Sequence, residues 1–114
     1  MWMRDRIPVC PHGNSELISD VLIAALEKLE ADMKLPLVFT SGFRCAGCNE
    51  KAGGVKNSAH MRGNAVDITV TTSGMRFWIL ENARRTHFKR IGIGKNMIHL
   101  DVDTTLPNHV IWLY

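Results

Sequence analysis

No apolar run in this sequence approaches the ~20 residues that a helix needs to cross a bilayer, so no membrane span is expected. Met1 to Cys10 contains no apolar stretch of the kind that marks a secretory signal, and none is expected there. Blocks of basic residues are also missing. The densest groups are Arg84-Arg85 and Lys89-Arg90, too little for a nucleic-acid arm, and no reader motif accompanies them. Nucleic acid is therefore not an expected partner. The net charge of +3 fits a solvated surface as well as it fits an anionic partner. Repeats, low-complexity tracts and linkers are absent. A chain of 114 residues, 46% hydrophobic, is expected to form one domain over residues 1–114, with a core of limited reserve.

Cysteine is scarce and odd in number: Cys10, Cys45 and Cys48. Three cysteines argue against a disulfide framework. Cys45-Ala-Gly-Cys48 has the spacing of redox and zinc-knuckle motifs, and Cys10-Pro-His12 offers two further ligands. The residues leave three readings open: a structural cluster or small disulfide, a second metal site, or redox chemistry.

Ser15 to Met33 carries the helical period at Ile18, Val21, Leu22, Ala25, Leu26, Leu29 and Met33, with Asn14 and Ser15 as caps. Leu37 to Ser41 reads as a short strand. Gly42 to Gly63 is an irregular middle with a helical turn or two near Asn49 to Ala52. A long middle segment in a small domain is often functional. Ala65 to Val70 is a strand whose Val66, Ile68 and Val70 oppose Asp67 and Thr69. A second helix is expected over Ser73 to Arg85, with Met75, Trp78, Ile79 and Ala83 near one face. Three short strands follow: Ile91 to Ile93, Met97 to Asp103 and His109 to Tyr114. The expected class is α+β, a small and mostly antiparallel sheet with two main helices.

The chemistry-bearing residues lie on the polar sides of these strands. In Met97 to Asp103, the apolar Ile98, Leu100 and Val102 alternate with His99, Asp101 and Asp103. Asp67 stands on the polar side of its own strand, and His60 sits near that strand's mouth. Two histidines and a carboxylate form a ligand set that suits zinc. By spacing alone, the trio also fits surface histidines and a strand aspartate facing water.

The surrounding residues narrow this. Ser41-Gly-Phe-Arg44, then Gly53-Gly-Val-Lys-Asn-Ser58-Ala-His60 and Gly63-Asn-Ala-Val-Asp67, then Gly92-Ile-Gly94 and His99-Leu-Asp101 resemble the M15 peptidases. These are D-alanyl-D-alanine carboxypeptidases and peptidoglycan endopeptidases that share a zinc fold with the hedgehog signalling domain. The resemblance runs in order from about Leu37 to Tyr114 and is strongest to a small branch found in phage lysis proteins and bacterial cell-wall enzymes. It implies a hedgehog-like fold, a Zn2+ cofactor held by His60, Asp67 and His99, and peptidoglycan peptides as partners. It also implies that Arg44 binds a substrate carboxylate, which a guanidinium fork suits, and that Ser58 hydrogen-bonds in the cleft. From the residues alone, Arg44 also fits a structural ion pair and Ser58 a loop cap. Trp112 resembles the family's terminal tryptophan near the cleft, although its sequence context reads as core.

The implied reaction is metal-assisted hydrolysis of a peptide bond in stem or cross-link peptides, at the bacterial cell wall. With no signal in the chain, access through a phage holin or from a trimmed precursor is the expectation. Better-known branches place Glu, Asp or His three residues before the last ligand, where this chain has Asn96, and an amide cannot take a proton. Asp101 is the expected replacement as proton acceptor, since its Cα lies about 7 Å from that of His99 on the same strand face. Its other role is to orient a ligand histidine. His87 and His109 are weaker candidates. The alternative function is a zinc-containing binding module of the same fold that has lost hydrolysis.

Overall fold

In the computed structural model, which describes residues 2–114, strands and helices follow the two hydrophobic periods closely. The elements are α1 (Asp20–Met33), β1 (Phe39–Ser41), α2 (Ala46–Lys51), β2 (Ala65–Thr69), α3 (Ser73–Arg85), β3 (Arg90–Ile93), β4 (Met97–Asp101) and β5 (Val110–Leu113). Three short 3-10 turns complete them, at Met3–Arg6, Ser15–Leu17 and Ala59–Arg62. The five strands form one sheet in the order β1-β2-β4-β3-β5. All pairings are antiparallel except β3 with β5, so the sheet is mixed at one edge. This is the α+β arrangement expected from the element order.

One face of the sheet carries Val66, Ile68, Ile91, Ile98 and Leu100. These side chains form the core with Leu22, Ala25, Leu26 and Leu29 of α1 and Ile79 and Ala83 of α3. Burial of the Val, Ile and Leu side chains among them contributes about 1.5–3 kcal/mol each before entropy is counted. Trp78 does not join them; it is exposed on α3. Its position is one residue off the stripe defined by Ile79 and Ala83, which lie one turn apart.

The first helix begins later than its apolar period suggests. Asn14 caps only the Ser15–Leu17 turn, by accepting from the Glu16 N–H. Ile18 is extended, at φ −83° and ψ 127°. Ser19 then starts α1 by accepting from the Leu22 N–H at 3.2 Å. The interruption has a tertiary cause: the Ser19 N–H donates to the Gly63 carbonyl at 2.9 Å, and Arg4 donates to the carbonyls of Ser15 and Ile18. By contrast α3 runs over Ser73–Arg85 as its sequence predicts, with Thr72 accepting from the Met75 N–H at 3.0 Å.

A clamp closes the other end of α1. Arg6 makes a fork-to-fork pair with Glu30 at 2.7 and 2.6 Å, and Glu30 also accepts from the Leu37 N–H at 2.8 Å. The hydrogen bonds from Arg6 hold the Glu30 carboxyl below the usual carboxylate range despite its partial burial.

Gly63 shows how tightly the turn below the sheet is fitted. It adopts φ +71°, and a Cβ there would lie 1.8 Å from the Leu17 carbonyl oxygen. Both the left-handed backbone and the missing side chain are required. Gly63→Ala is expected to lower stability by about 2–3 kcal/mol, seen as a melting temperature roughly 10 °C lower. A variant that melts with the wild type would refute this fit.

Candidate metal centre and cleft

The polar face of the sheet is a row set by strand register. Ser41 pairs with Asp67, Asp67 with His99, His99 with Gly92, and Gly92 with Trp112. Side chains aligned across neighbouring strands share one face, so Asp67 and His99 are direct cross-strand neighbours. Asp101 and Arg90 are paired in the next row along that face. A β-bulge between Phe39 and Ser41 shifts the register of β1 against β2, as such irregularities do beside functional sites.

His60 comes from outside the sheet. It lies in the Ala59–Arg62 turn, where Ser58 accepts from the His60 N–H at 3.2 Å and so caps the turn. The ring is almost wholly buried. Its Nδ1 is 2.7 Å from the Gly42 carbonyl, which can only accept, so Nδ1 carries the proton and Nε2 presents a lone pair. That Nε2 lies 3.3 Å from Asp67 Oδ1.

His99 is fixed in the opposite sense. Its Nε2 is 2.7 Å from Asp101 Oδ2. The Asp101 carboxylate is fully buried, pairs with Arg90 at 2.9 Å and accepts from the Asp103 N–H at 3.1 Å. An ionised carboxylate accepts, so Nε2–H of His99 donates and Nδ1 turns its lone pair to Asp67 Oδ1, at 3.1 Å.

Three electron-pair donors thus converge with no proton between them when both rings are neutral. Such an arrangement needs a cation. Around tetrahedral zinc, ligand nitrogen and oxygen atoms stand about 3.4 Å apart, and the contacts at 3.3 and 3.1 Å approach that spacing. All three donor atoms lie within 4.8 Å of one another. The same demand appears in the acid–base behaviour. Burial pushes the Asp67 carboxyl up, but His60 and His99 outweigh it and hold it well below the usual carboxylate range. Burial pushes His99 down, but Asp101 and Asp67 outweigh it and raise the ring. The donor set therefore fits a divalent cation, and two imidazoles with one carboxylate suit zinc.

The centre opens into a cleft of about 650 Å³, a volume typical of small-ligand sites. Arg44 and Ser58 line it. Arg44 Nη2 lies 3.6 Å from Asp67 Oδ2, and its buried Nε has no hydrogen-bond partner among the described residues. Trp112 also lines the cleft rather than joining the core, with its ring 5.2 Å from His99. Gly92 makes this approach possible, since a Cβ there would meet the Trp112 indole at 2.7 Å.

Arg90 has no role in the sequence reading beyond its charge, yet its guanidinium stacks 5.1 Å over Trp112 and pairs with Asp101. The two-residue period carried this information: Arg90 and Gly92 alternate with the apolar Ile91 and Ile93. Asp101, the expected proton acceptor, stands behind His99 with both oxygens engaged. Asn96, His87 and His109 are exposed and are not among the residues lining the cleft.

A family model described as Peptidase M15 matches residues 9–103, a span that includes His60, Asp67 and His99. The zinc D-Ala-D-Ala carboxypeptidase of Streptomyces albus G is 40% identical over 86 residues, which cover 75% of this chain and 32% of that protein. The chain spans about a third of the length of this relative.

Proposed function

The chain belongs to the peptidase M15 family, and on that premise we propose that it is a zinc-dependent peptidase acting on D-amino-acid peptide bonds in peptidoglycan stem or cross-link peptides. One observation carries the reading: lone pairs of His60 Nε2 and His99 Nδ1 meet Asp67 Oδ1 at 3.3 and 3.1 Å in the wall of an open cleft. The name of the Streptomyces relative supports both the metal and the substrate class.

His60, Asp67 and His99 would hold the zinc. When bound, zinc supplies Lewis acidity that polarises a carbonyl and acidifies water. The protein's own groups do the positioning. Gly42 and Asp101 lock the two imidazole tautomers, so each ring offers its ligand nitrogen without rearrangement. Arg44 receives a carboxylate of the stem peptide, for which the guanidinium fork of a residue lining the cleft is suited. Trp112 and Arg90 stack to form one wall of the cleft. Asp101 holds the His99 Nε2 proton rather than taking one from water.

A second reading rests on a specific observation: the carboxylates lining the cleft, Asp67 and Asp101, are both engaged by the histidines. A chain without a free proton acceptor would bind the wall peptide and not cut it. Incubation with defined muropeptides and mass analysis of the products separates the two. Loss of a terminal D-alanine identifies a carboxypeptidase, and conversion of cross-linked dimers to monomers an endopeptidase. Binding without product favours the module, and neither binding nor product refutes both. For a cleaved substrate ending in a carboxylate, Arg44→Ala is expected to raise KM about 10- to 100-fold, the worth of a charge-assisted hydrogen bond. A change in kcat alone would remove Arg44 from that role.

A further inference from the structure

Four metal-ligating side chains outside the cleft have no part in the chemistry above. Cys10 and His12 lie on the N-terminal segment. Cys45 is the N-cap of α2, and Cys48 lies inside that helix. Their sulfur and ring-nitrogen atoms all lie within 4.8 Å of one another. His12 Nδ1 is 3.6 Å from Cys45 Sγ and 3.4 Å from Cys48 Sγ. Zinc–sulfur and zinc–nitrogen bonds of about 2.3 and 2.0 Å set a sulfur-to-nitrogen edge of about 3.5 Å in a tetrahedron. Both His12 contacts already match such an edge.

From this convergence we infer a second metal site: Cys10, His12, Cys45 and Cys48 form a closed Cys3His centre for structural zinc. Three thiolates and an imidazole complete four-coordination and leave no open position, which is the pattern of a structural rather than a catalytic site. Soft sulfur ligands select zinc over magnesium or calcium. All three cysteines are unbridged. The Cys45 N–H donates to Cys10 Sγ at 3.4 Å, which holds that sulfur against the N-terminal end of α2. The odd cysteine count is then accounted for, because the fourth ligand is His12.

The position of the cluster gives it a purpose. The Cys10 N–H donates to the Phe43 carbonyl at 3.1 Å, so the N-terminal segment already lies along the stretch joining β1 to α2. That stretch carries the Gly42 carbonyl, which holds the His60 ring, and Arg44, which directly precedes Cys45. Zinc in the cluster ties these two segments together at a place where α2, with six residues, is too short to be stable alone.

The test uses protein purified under reducing conditions without chelator. Elemental analysis is expected to find about two equivalents of zinc per chain, with a mercurial thiol reagent releasing about one of them. Cobalt substitution is expected to produce a thiolate-to-cobalt charge-transfer band that is weakened by about a third or more in Cys48→Ser and in Cys10→Ser, each of which removes one of three thiolates, and retained in full in His60→Ala. The band in the wild-type chain needs no variant to fold, so a misfolded substitution does not blunt the test. Absence of that band in cobalt-loaded protein overturns the site. So does a native mass lower by two hydrogens, which marks a disulfide. Loss of the cleft metal alone, with the band intact, counts against the proposed peptidase and leaves this inference standing.

Discussion

His60→Ala is expected to empty the cleft of zinc and lower peptidase turnover by about a thousandfold or more. The loss follows from two effects. One of three ligands disappears, leaving too few for the open tetrahedral set that catalytic zinc uses. The Lewis acidity the metal brings is worth several kcal/mol at the transition state, and each 1.36 kcal/mol is about tenfold in rate. A structural cost accompanies it, since the Gly42 carbonyl loses the Nδ1–H that it accepts at 2.7 Å, and a buried acceptor left unpaired costs about 1–3 kcal/mol. The measurement is zinc content and muropeptide turnover side by side, made in a Cys48→Ser background so that thiolate-bound metal does not confuse the count. Full zinc occupancy in that double variant would sink the assignment of His60 as a ligand.

Asp101→Asn carries the second large effect and distinguishes the two roles open to that residue. The substitution keeps the shape and removes the charge. Arg90 loses its buried anion, and breaking one partner of a buried ion pair costs about 3–5 kcal/mol. His99 keeps an acceptor for its Nε2–H but a weaker one, so its ligand nitrogen becomes less basic. Loss of such an orienting partner typically costs about 10- to 100-fold in metal affinity or activity. The expected result is therefore weaker zinc binding, with most of the rate recovered when zinc is added in excess. A general base is worth about 10²- to 10⁴-fold, and added metal cannot replace it. A zinc-saturated Asp101→Asn protein that stays a thousandfold slow would return Asp101 to the proton-transfer role.

Acid is expected to work against the same centre. The Asp101 and Asp67 carboxylates raise the His99 pKa, so its proton competes with metal to a higher pH than for an ordinary imidazole. Zinc affinity should fall as pH drops through that raised value, because ligand binding requires the neutral ring.

Much of the candidate site is legible in the sequence. The alternation of Met97 to Asp103 placed His99 and Asp101 on one side of a strand, and that of Ala65 to Val70 placed Asp67 likewise. The helix over Ser73 to Arg85 was legible to its ends, because Thr72 offers a cap and the apolar period does not compete with tertiary contacts. The start of α1 was not. Ser15 has the local chemistry of a helix start, but Arg4 and Gly63 take the backbone groups around Ile18 and Ser19. Trp112 reads as core in Val-Ile-Trp-Leu-Tyr because its neighbours are apolar. It lies at the cleft because Gly92 on the adjoining strand leaves a gap that the indole fills.

By itself the sequence determined which residue types are available, the face of each strand on which they stand, and the α+β class. These are local matters, governed by periods of 2 and 3.6 residues and by capping. Only the tertiary structure decided that β4 lies between β2 and β3. That order sets His99 opposite Asp67, backs it with Asp101 and Arg90, and swings His60 in from its turn. It also gathers Cys10 and His12 onto Cys45 and Cys48. Such meetings depend on strand order and loop path, which join residues far apart in the chain, and no local period encodes them.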